Sequence, residues 1–209
     1  MADRTFTADE SIVAFREAAH WWRSLVGGID DHQWDRPGLG DWTVRELVAH
    51  GARAFRTITD YATGEVKDPL PIATAAEYFR IVLAEETPHL HIAARARQEA
   101  AAEEDWTVAT DRFWAAADRV VGASAPEAPM HLFVGEMPFS QYLATRVVEL
   151  VVHGLDLSQA IGIPSSPPRA SARVAIDVLL DLSPVDDLGT IARFLTGRPG
   201  SLPLANVLA

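Results

Sequence analysis

The stretch Val147 to Leu157 constrains the fold more than any other part of the sequence. It is almost wholly apolar, and only Glu149, His153 and Asp156 interrupt it. It lies inside a longer run, Ser140 to Ile161, which Gly162-Ile163-Pro164 brings to a stop. Proline cannot continue a helix, and glycine suits the residue that follows one. A helix apolar around most of its circumference must be surrounded by other elements, so this segment predicts the central member of a helical bundle.

The rest of the chain supplies the partners. A Ser or Thr followed three residues later by Glu, ahead of an apolar run, is a helix-start signature in which each residue satisfies a backbone N–H of the other. Thr7-Ala8-Asp9-Glu10 opens a run with Ile12, Phe15, Ala19, Trp22 and Val26 at helical spacing, stopped at Gly27-Gly28. Thr43-Val44-Arg45-Glu46 opens a second run, through Leu47, His50, Ala54 and Ile58 to near Gly64. Thr74-Ala75-Ala76-Glu77 opens a third, read as one long alanine-rich helix running towards Glu104. A fourth spans Asp105 to Val121, and a Pro-rich break at 125–138 precedes the central helix. Two further helices are expected at Ala170 to Leu182 and Pro184 to Leu195.

Strand evidence is poor. There is no sustained period-2 alternation and no Asn-Gly or Asp-Gly hairpin signal, so the expected class is all-α, a four-helix bundle over 1–162 with a short C-terminal helical extension over 163–209. The 209 residues suit one domain with a proper core.

Composition narrows the function. A formal charge of −11 disfavours a phosphate-backbone binder, which needs a basic face. No membrane span or secretion signal is legible, so a cytoplasmic protein is expected. With 0 cysteines the chain has no thiolate of its own for metal binding, redox work or nucleophilic attack, and thiol chemistry would need a thiol brought by a small molecule. A Ser/His/Asp triad, a phosphate-cradling glycine loop and a dinucleotide fingerprint are absent, because Gly27-Gly28 and Gly38-x-Gly40 lack the spacing and the preceding strand.

At about 100° per residue, Tyr142, Arg146, Glu149, His153 and Asp156 fall on one stripe roughly 80° wide. Two readings stand. The stripe is a solvent face with Arg146 and Glu149 as an i,i+3 ion pair, or Glu149 and His153, at i,i+4, converge on a metal ion in a cleft. His50, alone among apolar and small residues, is the candidate third ligand or else a satisfied core or helix-end histidine. A set of two histidines and one carboxylate with an open position suits a divalent metal, zinc foremost. His32, His89, His91 and His131 are expected at the surface, and His20, before Trp21-Trp22, in the core or a cleft.

Two blocks carry a family likeness: Trp34-Asp35-Arg36-Pro37 with Asp41-Trp42-Thr43-Val44-Arg45-Glu46-Leu47-Val48-Ala49-His50, and Arg146-Val147-Val148-Glu149-Leu150-Val151-Val152-His153-Gly154-Leu155-Asp156-Leu157. On these, the sequence resembles the DinB-like superfamily and, within it, the mycothiol-dependent maleylpyruvate isomerase family, over about residues 8 to 162. The resemblance implies that His50, Glu149 and His153 hold zinc across a four-helix bundle. It implies mycothiol as thiol cosubstrate, its pKa lowered by the metal, adding transiently or permanently to a small electrophile in an isomerisation or a transfer.

Arg146 is then the candidate catalytic group, binding an anion or bracing a ligand, and Asp156 supports a ligand from behind. Trp42 and Trp34 are expected to pack the bundle or the cleft wall. The sequence departs from the isomerase proper, which carries a further C-terminal α/β domain, whereas 47 residues follow Gly162 and only Arg193 to Arg198 resembles the start of that region. Maleylpyruvate itself is therefore not carried over as the substrate. A hydrolase using a metal-bound water and a non-catalytic metal- or ligand-binding bundle remain the alternatives. A homodimer through the apolar outer face of the third helix is compatible with the pattern.

Overall fold

The computed structural model describes residues 2–64, 69–84 and 88–197, with side chains at all of these except 88–93. The first two helix-start signatures act as the sequence predicts. Thr7 accepts from the Glu10 N–H at 3.3 Å while Glu10 accepts from the Thr7 N–H at 2.9 Å, opening α1 (Ala8–Gly27). Thr43 and Glu46 make the same reciprocal pair, at 3.2 and 2.8 Å, ahead of α2 (Val44–Ala62). At the third site only half of the box forms. Thr74 accepts from the Glu77 N–H at 3.0 Å, but Glu77 reaches past it to the Ala73 N–H at 2.7 Å.

The single long third helix expected from Thr74 towards Glu104 is two helices, α3 (Ala75–Leu83) and α4 (Pro88–Ala100). Pro88 accounts for the division. It has no N–H to give a preceding carbonyl and its ring clashes with the turn before it, yet it suits the first position of a new helix. Asp105 caps α5 (Trp106–Ala123) through the N–H groups of Thr107 and Val108. The Pro-rich break holds a small antiparallel hairpin, β1 (Pro129–Leu132) and β2 (Gly135–Pro138), with His131 opposite Glu136 and Leu132 opposite Gly135.

This hairpin is missed by the sequence reading because each strand is only four residues long and the turn, Phe133-Val134, carries none of the usual turn residues. Gly135 is required there. Its φ is +153°, and a Cβ would sit 2.2 Å from the Leu70 carbonyl oxygen, to which the Glu136 N–H donates at 2.8 Å.

The central helix, α6 (Phe139–Ile161), ends at Gly162 in the left-handed conformation, φ +70°, with the Ile163 N–H closing back on the Ser158 carbonyl at 3.1 Å. α7 (Arg169–Leu182) and α8 (Val185–Leu195) follow. α1, α2, α5 and α6 close a four-helix ring in which α6 packs between α1 and α2, and α5 packs between the same two on the other side. Among the described residues the protein is all-α apart from the hairpin. Phe15, Trp22, Phe55, Ile58, Trp106, Phe139 and Leu143 are all but inaccessible in its core. α7 covers α1 and α6 and adds Val174, Ala175 and Val178 to the same core. Among the described residues no helix is long and apolar enough to cross a membrane.

Candidate metal centre

The polar stripe on α6 does not face solvent. It runs from the core to a rim. Tyr142 and Arg146 are 0% and 5% exposed, whereas the side chains of Glu149, His153 and Asp156 keep 26%, 16% and 27% of their surface. The solvent-face reading fails because α2 and α3 lie against this side of α6 and cover its first turns.

Directly across, α2 presents His50. Its Nε2 lies 3.8 Å from Glu149 Oε2, and His153 Nε2 lies 3.4 Å from the same oxygen. The two imidazoles meet edge to face with centroids 4.7 Å apart, and one donor atom from each of His50, Glu149 and His153 lies within 4.8 Å of the others. Donors about 2.0–2.2 Å from a tetrahedral ion stand roughly 3.3–3.6 Å apart, so the two carboxylate–imidazole separations need little or no adjustment to close on one cation. Two neutral imidazole nitrogens and one carboxylate oxygen are the donor chemistry that zinc and related divalent ions take.

Behind the donors, His153 Nδ1 faces Asp156 Oδ2 at 3.2 Å. A proton on Nδ1 donated to that carboxylate leaves the Nε2 lone pair directed at the centre, the usual way in which a carboxylate fixes the tautomer of a ligating histidine. Trp42 stands against His50, ring centroids 4.9 Å apart. Trp34 packs against the bundle core, as expected, and carries the Arg45 guanidinium 5.5 Å above its ring.

In the metal-free chain the three donors share charge unequally. Burial, and then the charge of His153, lower His50 to about 3, so it stays neutral. Burial lowers His153 too, but hydrogen bonds to Asp156 and Glu149 outweigh it and raise the imidazole to about 9. Glu149, pushed up by burial, is brought down to about 2 by its hydrogen bond with His153 and by the charge of Arg146.

Arg146 is a buried cation beneath the centre. Its Nε donates to Thr145 Oγ1 at 3.1 Å, its Nη1 to Thr57 Oγ1 at 3.4 Å and its Nη2 to the Tyr78 hydroxyl at 3.5 Å. Its nearest carboxylate oxygen, Glu149 Oε1, is 3.9 Å away. The guanidinium also lies over the faces of Tyr142 and Tyr78, 4.9 and 5.7 Å from their centroids, and such faces offset part of the desolvation of a cation. Burial raises the pKa of both tyrosines, keeping them neutral. Thr57 and Tyr78 are not singled out by the sequence reading; Thr57, seven residues after His50 on the same helix face, has a spacing that could have flagged it.

Residues 15–158 match the family model described as the mycothiol maleylpyruvate isomerase N-terminal domain. The chain belongs to that family. A solved structure, that of a histidine-to-alanine mutant of the mycothiol-dependent maleylpyruvate isomerase, superposes on this mycothiol maleylpyruvate isomerase family member with a TM-score of 0.52 at 16% identity. The superposition covers 81% of this chain and 68% of that one, and at such identity it establishes a shared fold. Curated proteins yield no match.

The other histidines lie elsewhere. His32 is exposed, as expected. His20 is exposed in a surface cleft with Arg23 and Asp111, its ring 5.6 Å from that of Trp114. His131, expected in a surface loop, is half-buried in β1, with Nδ1 3.2 Å from Glu136 Oε2 on the facing strand. The side chains of His89 and His91 lie outside the described residues.

Proposed function

We propose that this family member is a divalent-metal enzyme, loaded with zinc, that uses mycothiol as cosubstrate to isomerise or transfer onto a small electrophile. The observation that carries this reading is the convergence of His50 from α2 with Glu149 and His153 from α6, donor atoms within 4.8 Å of each other, in a chain with no cysteine of its own. His50, Glu149 and His153 would hold the ion within the bundle of residues 1–162, and Asp156 would fix the His153 tautomer. Bound there, the ion would supply Lewis acidity that lowers the pKa of a thiol at its open position.

The chain's own residues do the rest. Glu149, held as a carboxylate, balances positive charge at the centre. Arg146, anchored by Thr57, Thr145 and Tyr78, supplies a fixed positive potential beneath it, which favours an anionic group, thiolate or substrate, at the centre. The half-buried rim of His50, His153 and Glu149 leaves the donors reachable while α2 and α6 exclude bulk water from behind.

Elemental analysis of untagged protein, paired with thermal melts with and without mycothiol, tests the reading. It expects about one zinc per chain and a thiol-dependent rise in Tm that disappears on chelation. A chain with no metal and no stabilisation by zinc overturns it. Hydrolytic turnover without thiol would replace the thiol by water, and metal binding without turnover or thiol response would leave a capture bundle.

A further inference from the structure

Both histidines of the centre are followed by glycine, His50-Gly51 on α2 and His153-Gly154 on α6, and both glycines sit inside helices. Glycine inside a helix is less favourable than alanine, so its presence asks for a reason. The reason lies on α1. A Cβ on Gly51 would fall 2.2 Å from Trp22 Cη2 and 2.4 Å from its Cζ2, and a Cβ on Gly154 would fall 2.2 Å from Trp21 Cζ3 and 2.6 Å from its Cη2. No side chain tolerates approaches that short. The two indoles come from adjacent residues of one helix, and each is seated on bare backbone one residue beyond a donor histidine.

Neither ring is free to retreat. Trp22 is wholly buried and Trp21 is 9% exposed, with its Nε1 donating to Ser165 Oγ at 2.7 Å. We propose that Trp21 and Trp22 are positioning residues, a double wedge on α1 that sets the separation and axial rotation of α2 and α6 and thereby the distance between His50 and the Glu149–His153 pair. The inference rests on the metal reading above. Ligand distances at such a centre are held to about 0.2 Å, so even a small displacement of α2 against α6 spoils it. The wedge acts on both helices from their glycine notches without touching the ion.

Co²⁺ binding, followed by its visible absorption and by titration, is the readout, since it needs no substrate. Gly51→Ala and Gly154→Ala should each weaken Co²⁺ binding about 10- to 100-fold, the range for residues that support metal ligands from behind, and should shift the absorption bands while helical content is kept. Trp22→Phe in the Gly51→Ala background should recover affinity, because phenylalanine lacks the ring atoms that the new Cβ meets. Val178→Ala, a core truncation on α7, should lower Tm and leave the Co²⁺ spectrum unchanged.

Wild-type affinity and spectrum in both alanine variants would overturn the wedge, as would an equal loss in Val178→Ala. If the alanine variants do not fold, Trp21→Phe and Trp22→Phe, which only remove atoms, are read instead, and unchanged Co²⁺ binding in both overturns the proposal. A wild-type chain that binds no Co²⁺ overturns the metal reading, and the wedge loses its object with it.

Discussion

α6 and α8 are both helices with apolar residues at helical spacing, yet 16 residues of α6 are buried and none of α8 is. On α8, Val185, Phe194 and Leu195 are 82%, 62% and 75% exposed. The same local code therefore produces a helix in both places and a core in only one. What separates them is company: α1, α2, α3 and α7 pack on α6, whereas α8 follows the bundle without entering its core. Burial also gives polar groups their character. Arg146 on α6 is held by hydroxyls from α2 and α3, and such an arrangement is available only where helices surround it.

This contrast yields measurable consequences. The largest effect belongs to the centre: His50→Ala or His153→Ala should abolish stoichiometric zinc binding while circular dichroism keeps its helical signal, and a variant retaining one zinc per chain would refute the ligand assignment. Next, Phe55→Ala in the core should destabilise by about 3–5 kcal/mol, whereas Phe194→Ala on α8 should stay within about 0.5 kcal/mol in denaturant titration. Equal effects would erase the distinction between the two regions.

Asp156→Asn, which keeps the shape but weakens the hold on His153, should reduce zinc affinity about 10- to 100-fold while circular dichroism keeps its helical signal. The smallest effect lies at the amino-terminal strap. Asp3 accepts from Arg80 Nη1 at 2.7 Å, from Nη2 at 2.9 Å and from Thr74 at 2.9 Å, and the Arg80 hydrogen bonds lower its carboxyl pKa. A depressed folded-state pKa contributes stability that is present above the unfolded value of about 3.9 and is lost as pH falls through the folded one. Asp3→Asn should therefore reduce stability by up to about 1 kcal/mol at neutral pH, with the difference from wild type vanishing in acid. A difference unchanged across the acid range would assign the effect to packing.

Much of this was legible in the sequence wherever the signal is short-ranged. The Thr7–Glu10 and Thr43–Glu46 boxes, the Gly162 stop and the i,i+4 spacing of Glu149 and His153 depend on neighbours within a turn or two of helix, and each is found as read. Pro88 is a local signal too, and it outweighs the alanine-rich helix propensity of the stretch around it. The hairpin escaped because its strands are four residues each and its Phe133-Val134 turn carries no turn signal, while the demand for glycine at 135 comes from the distant Leu70 carbonyl packed against β2.

The sequence by itself determined where most of the helices begin and end, which class of fold they build, and which donor types could meet a cation. The tertiary structure alone decided that the α6 stripe points inward, that Thr57 and Tyr78, 89 and 68 residues away in the chain, hold Arg146, and that two tryptophans of α1 fill the notches beside the histidines. The reason is range. Capping and periodicity act within a few residues, whereas the desolvation of a buried charge and the fit of a ring into a glycine notch exist only once distant segments have packed.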